Sequence, residues 1–136
     1  MSQFLRKHGF IYDQLPVILW ALFIFISSSI PNIALPEFKV FSSDKLAHLI
    51  VYGVFTALTH RALAYQNRFP KLAMHSLLWS FILTVIYGAL DELHQFFVPP
   101  REASLLDLVA DSVSALLFVA YKLLTARAKP PAAKAD

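Results

Sequence analysis

The 136-residue chain contains no cysteine. That excludes a disulfide framework, a thiolate nucleophile and thiolate metal ligation. Charge is also scarce. Only 15% of residues are Asp, Glu, Lys or Arg, against about 25% in an ordinary soluble domain. The net charge of +3 comes from basic residues scattered between apolar runs. Scattering of that kind argues for membrane topology and against a nucleic-acid surface. No internal repeat is present. No small-x-small cleavage site closes the first apolar run, which ends in Ser27-Ser28-Ser29-Ile30-Pro31; that run is expected to be a retained membrane helix and not a signal peptide.

What the chain has in abundance is hydrocarbon. Hydrophobic residues make up 57% of it, more than one small soluble core can bury. The runs predict an all-α, polytopic transmembrane bundle of four helices. The spans fall at about Leu15 to Ile30, Lys45 to Tyr65, Leu72 to Val98 and Ser104 to Leu124. Pro16 is tolerated in a first helical turn, and Pro31, Pro99 and Pro100 stop helices. The second and fourth spans are about 21 residues, or roughly 31 Å at 1.5 Å per residue, which matches a hydrocarbon core of about 30 Å. Residues 1–128 are expected to form a single domain. The Pro/Ala/Lys-rich stretch 129–136 is expected to be a disordered tail.

Lys and Arg set the expected orientation. Nine lie at the N-terminus, between the second and third spans, or at the C-terminus: Arg6, Lys7, Arg61, Arg68, Lys71, Lys122, Arg127, Lys129 and Lys134. Three lie on the other side: Lys39, Lys45 and Arg101. The excess predicts that both termini lie in the cytoplasm.

Against this background, the stretch Asp91-Glu92-Leu93-His94-Gln95 is conspicuous at the end of an oily helix. On the expected topology it reaches the outer face. So do Asp44 and His48 at the start of the second span, and Arg101, Asp107 and Asp111 at the start of the fourth. Asp44, His48 and Tyr52 step by four along one helix face. Thr84, Tyr87, Gly88, Asp91 and Gln95 form a second stripe, and Ser104, Asp107, Asp111 and Ser114 a third. Charged groups in a span avoid lipid, where each costs about 2.5–3.5 kcal/mol. Three stripes on three helices are therefore expected to share one interior cavity. Around it, six carboxylates (Asp44, Asp91, Glu92, Glu102, Asp107, Asp111) face two cations, Lys45 and Arg101, leaving −4. Protonation, charged histidines, a bound cation or hydration must absorb that excess.

Structural roles compete for these residues. Polar groups between membrane helices often serve only as hydrogen-bond glue, at about 0.6 kcal/mol each. Asp44 suits an N-cap, and Lys45 suits a snorkelling cation. Glu102 suits a solvated loop charge. His8, His60 and His75 fall near the cytoplasmic boundary, and Phe96 and Phe97 suit interfacial anchors. His94 lies about 60° off the Asp91 stripe. Asp107 and Asp111 resist such readings best, since they lie one and two turns into the fourth span.

The segments "DKLAHLIVYG" (44–53) and "DELHQFFVPPREASLLDLVADSVS" (91–114) resemble the VanZ-like family of small bacterial membrane proteins. The family pattern runs Asp-Lys-x-x-His-x-x-x-Tyr, then Asp-Glu-x-x-Gln-x-Phe, a nearby Arg, and Asp-x-x-x-Asn-x-x-Gly. Asp44, Lys45, His48 and Tyr52 match the first part. Asp91, Glu92, Gln95, Phe97, Arg101 and Asp107 match the rest. The Ser-rich, Pro-containing exit of the first span is similar too. Asp111 stands where the family often has Asn, and Ser114 where it often has Gly. The resemblance implies a polytopic protein of the cell envelope, in a family whose namesake is linked to reduced susceptibility to the glycopeptide teicoplanin.

Three function classes follow. In the first, the pocket binds or modifies a lipid-linked or phosphate-bearing envelope component. His48 would act as general base oriented by Asp44 or Asp91 with Arg101 holding an anion, or Asp91, Glu92, Asp107 and Asp111 would hold Mg²⁺ or a similar hard cation. Asp44, Lys45, Tyr52, Gln95 and Asp111 are the expected binding residues of the pocket. In the second class, the chain is a non-enzymatic binding or scaffold protein that occupies a lipid-linked precursor. In the third it is a small proton- or ion-coupled transporter, against which stands the apolar reading of the third span from Leu77 to Leu83. The expected partners are the lipid bilayer and a lipid-linked substrate, with no nucleic acid; no cofactor is assigned.

Overall fold

The structure is a computed structural model, and it describes residues 10–31 and 43–128. Four long helices are present: α1 (Leu15–Ser29), α2 (Ser43–Tyr65), α3 (Ser76–Phe96) and α4 (Leu105–Ala128). A π-helical turn, Phe10–Gln14, extends α1 backwards. All four are long and apolar enough to cross a membrane, and no strand occurs among the described residues. The third span begins later than its apolar run. Pro70 starts a separate turn, Pro70–Met74, and His75 leaves the helical region at φ −104° and ψ 25°, so that α3 restarts at Ser76. Expectations for the tail at 129–136 and for the link between α1 and α2 fall outside the described residues.

Burial is inverted relative to a water-soluble bundle. The outward faces carry large side chains such as Leu22, Phe25, Ile50, Leu90 and Leu116, each about half exposed. The interior is polar. On α3 the buried positions are Ser76, Ser80, Thr84, Gly88, Asp91, Glu92 and Gln95, which steps by three or four and so forms one face. On α2 they include His48, Tyr52, Thr56 and Thr59, and on α4 Asp107, Asp111, Ser114 and Ala115. Lipid is as apolar as leucine, so outward hydrocarbon costs nothing, while polar groups must find partners inside.

This overturns the expectation that the polar face stops short of the opposite half. Ser80 sits within the Leu77–Leu83 run and is fully buried, as are Thr84 and Thr56. The Thr56 and Thr84 hydroxyls lie 3.1 Å apart, and Thr56 Oγ1 also donates to the Tyr52 carbonyl at 2.7 Å. His60, expected at the boundary, packs on Phe118 with ring centroids 5.7 Å apart, and its Nδ1 is buried without a partner.

Helices α2, α3 and α4 pack mutually, and α4 approaches closely where glycine permits. A Cβ at Gly88 would sit 2.7 Å from Asp111 Oδ2, and one at Gly53 3.1 Å from Ser114 Oγ. Helix α1 lies against α2 and α3 and buries little of its surface beyond Ile24 and Ser28. It is held by directed bonds instead. Trp20 Nε1 donates to the Val51 carbonyl (3.0 Å), Gln14 Nε2 to the Ala62 carbonyl (2.7 Å), and the Tyr87 hydroxyl to the Ala21 carbonyl (2.6 Å).

Candidate functional site

The polar residues at the Gln95 end of the bundle divide into three partnered groups. In the first, the Tyr52 hydroxyl donates to Asp91 Oδ2 at 2.9 Å and Gln95 Nε2 donates to the same oxygen at 3.2 Å. Gln95 Nε2 also reaches Ser28 Oγ on α1 at 3.5 Å. In the second, His48 Nδ1 lies 3.0 Å from Asp111 Oδ1, and the imidazole stacks on the Tyr52 ring, 5.7 Å between centroids. In the third, Lys45 Nζ meets Asp107 Oδ1 at 2.9 Å. Lys45 is therefore a partner in the interior and does more than snorkel.

Glu92 joins the second group from a different direction. It lies about 100° around the helix from Asp91, which turns it toward α4. Its Oε2 accepts the backbone N–H of Ser104 at 2.6 Å, and the Ser104 carbonyl accepts the first α4 amides, Asp107 and Leu108. Glu92 thus satisfies a donor at the start of α4 that would otherwise lack a partner. Its other oxygen, Oε1, is buried and unpartnered, and so is Asp111 Oδ2. An orphaned buried carboxylate oxygen is costly and calls for a ligand, a water or an ion.

The expected convergence takes a specific form. The four buried carboxylates do not pool into one Asp91–Glu92–Asp107–Asp111 cage; the helix register gives Asp91 to Tyr52 and Gln95, Asp107 to Lys45, and Asp111 to His48. Arg101 does not touch a carboxylate. Its Nε donates to the Ile30 carbonyl at 3.2 Å, at the exit of α1. His94 lies apart, 2.9 Å from Ser29 Oγ and stacked on Phe25. Glu102 is exposed. The Asp44 side chain lies outside the described residues. Even with Arg101 counted alongside Lys45, four buried carboxylates leave a formal excess of two negative charges.

A cavity of about 230 Å³ opens beside these groups between α1, α2 and α3. Its lining mixes apolar side chains (Phe23, Ile24, Ala47 and Val51) with polar ones (Ser28, His48, Tyr52, Asp91, Gln95 and Arg101). Sequence patterning points to the polar set apart from Ser28, and misses the apolar set. Phe23, Ile24 and Ser28 lie on α1 and Ala47 and Val51 on α2, where nothing in the sequence separates a cavity-lining isoleucine or valine from a lipid-facing one.

Comparison with known proteins gives one result. No curated protein and no solved structure matches the chain. The family model VanZ/LLP1 matches residues 10–125, a stretch that takes in α1, α2, α3, α4 as far as Thr125, and every partnered group described above. The chain is a multi-pass membrane protein, and it belongs to the VanZ/LLP1 family.

Proposed function

We propose that the protein binds or modifies a lipid-linked, phosphate-bearing component of the cell envelope, with its head group in the cavity between α1, α2 and α3. The observation that carries this reading is a cavity lined by both apolar and polar side chains. An amphipathic ligand matches such a cavity, and about 230 Å³ admits a head group while its hydrocarbon stays in the bilayer. Arg101 supplies a planar donor at the rim for an anionic oxygen. On this reading Tyr52 and Gln95 hold Asp91 in place, and Asp111 holds His48. The envelope location fits the teicoplanin link of the family's namesake, which we extend to this chain only as part of the proposal.

The test is lipid retention by the detergent-purified protein, read by native mass spectrometry. A polyprenyl phosphate should be retained at least tenfold better than the polyprenol of equal length, and Arg101→Ala should erase the difference. Equal retention of both would sink the reading. It would favour a proton- or ion-coupled transporter, whose specific support is the file of buried hydroxyls (Thr56, Thr84, Ser80, Ser76) running from the acidic groups toward the opposite end.

We further propose that the cavity faces the outside of the cytoplasmic membrane and both termini the cytoplasm, on the nine-to-three distribution of Lys and Arg. The lack of native cysteine makes this directly measurable. A single cysteine in place of exposed Glu102 should react with an impermeant thiol reagent in intact cells, and one in place of exposed Asn67 should not. The reverse pattern would invert the topology.

A further inference from the structure

The carboxylates and the phosphate of the proposed ligand repel one another, and the excess negative charge is buried. The structure assigns a remedy to particular atoms: we propose that His48, Glu92 and Asp111 form a binding site for one divalent transition-metal ion. Donor atoms of these three side chains, one from each, all lie within 4.8 Å of one another, and all three residues are buried. They are the one such group found among the described residues.

The second, independent observation is the pair of orphaned oxygens. Asp111 is fully buried and Glu92 is 7% exposed. Each keeps one carboxylate oxygen with no hydrogen-bond partner. Glu92 has its other oxygen committed to Ser104, so only Oε1 is available. The absent side chain at Gly88 makes room for the Asp111 carboxylate. These are features of a site shaped around something positive.

The donor set indicates the class of ion. One imidazole nitrogen with two carboxylate oxygens suits Zn²⁺, Mn²⁺ or Fe²⁺ better than Ca²⁺ or Mg²⁺, which favour oxygen alone. Three protein ligands leave a coordination position open, the arrangement of catalytic zinc sites. Bond lengths near 2.0–2.2 Å place tetrahedral ligands about 3.4 Å apart, so a separation of up to 4.8 Å closes by at most about 1.4 Å on binding. The ion displaces the proton now shared between His48 and Asp111. Glu92 also lines an open groove of about 440 Å³ between α3 and α4, with Ser104 and Leu105, which gives the ion a route in. The ligand set differs from an all-carboxylate cage: Asp91 and Asp107 have other partners.

This inference rests on reading the polar cluster as a site, and its test is independent of any lipid. Chelator-stripped protein in detergent is dialysed against Zn²⁺, Mn²⁺ or Co²⁺, and bound metal per chain is measured by elemental analysis. Wild type should hold one ion per chain and unfold at a higher temperature with metal than with chelator. Glu92→Gln and Asp111→Asn should each weaken binding by about 100-fold. Arg101→Ala should keep one ion per chain while losing the preference for polyprenyl phosphate, which separates failure of the metal reading from failure of the lipid reading. Should either ligand variant not fold, wild type loaded with Cu²⁺ should show hyperfine coupling to a single imidazole nitrogen. No uptake by wild type, coupling to none or several imidazoles, or full occupancy in Asp111→Asn would overturn the site. A metal-free His48–Asp111 acid–base pair is the arrangement such a result would leave.

Discussion

Lys45→Met is expected to lower the unfolding free energy by about 3 kcal/mol. The change removes the ammonium 2.9 Å from Asp107 Oδ1 and leaves a carboxylate that is 5% exposed with no charge to oppose it. The cost comes from the stranded charge more than from the lost attraction. The double variant Lys45→Met, Asp107→Leu should therefore recover most of the stability, because replacing both members of a buried pair by hydrocarbon is often neutral. By contrast, the Arg61–Asp13 pair at 3.1 Å has an arginine that is 49% exposed, and Arg61→Met should change stability by about 0.5 kcal/mol. Thermal unfolding in bicelles measures all three. A double variant no more stable than Lys45→Met would show that the pair is not the source of the loss.

Gly88→Ala should destabilise the bundle by about 1–3 kcal/mol through overpacking. The new methyl would stand 2.7 Å from Asp111 Oδ2. The carboxylate cannot simply swing aside, because Oδ1 is engaged by His48. Either that bond breaks or α3 and α4 separate. Asp111→Ala should rescue Gly88→Ala, since the remaining contact with the Asp111 Cβ is an ordinary 3.4 Å. Gly53→Ala meets only the Ser114 hydroxyl at 3.1 Å, an oxygen with no hydrogen-bond partner to lose, and should change stability far less. Unfolding midpoints for the three single variants and the double test the argument; equal losses at Gly53 and Gly88 would refute it.

The parts of this molecule that a sequence reveals are those where one signal dominates. Long apolar runs bounded by Pro16, Pro31 and Pro99 mark the spans to within a few residues, because hydrocarbon length is fixed by the bilayer. The start of α3 is less legible. Leu72, Ala73 and Met74 continue its apolar run, and only the backbone at His75 shows the break. Spacing by four brings His48 and Tyr52 together, and likewise Asp107 and Asp111. Spacing alone does not say which carboxylate meets which base. That depends on helix rotation and on the close approach at Gly88, which the sequence shows only as one glycine among three. The inner hydroxyls are the hardest to see. Ser80 and Thr84 scarcely interrupt a hydropathy profile, yet both are fully buried among partners.

The three groups that Asp107, Asp111 and Ser104 satisfy all lie on helices made earlier by the ribosome: Lys45 and His48 on α2, Glu92 on α3. An insertion intermediate holding α1 to α3 can already latch its first hairpin, since Trp20 and Gln14 bond to α2 alone. The same intermediate presents Lys45, His48 and Glu92 without these partners until α4 arrives. The last helix to enter the membrane is thus the one that completes the interior. A chain cut short before Leu105 would carry an unfinished polar face, a ready mark for membrane quality control.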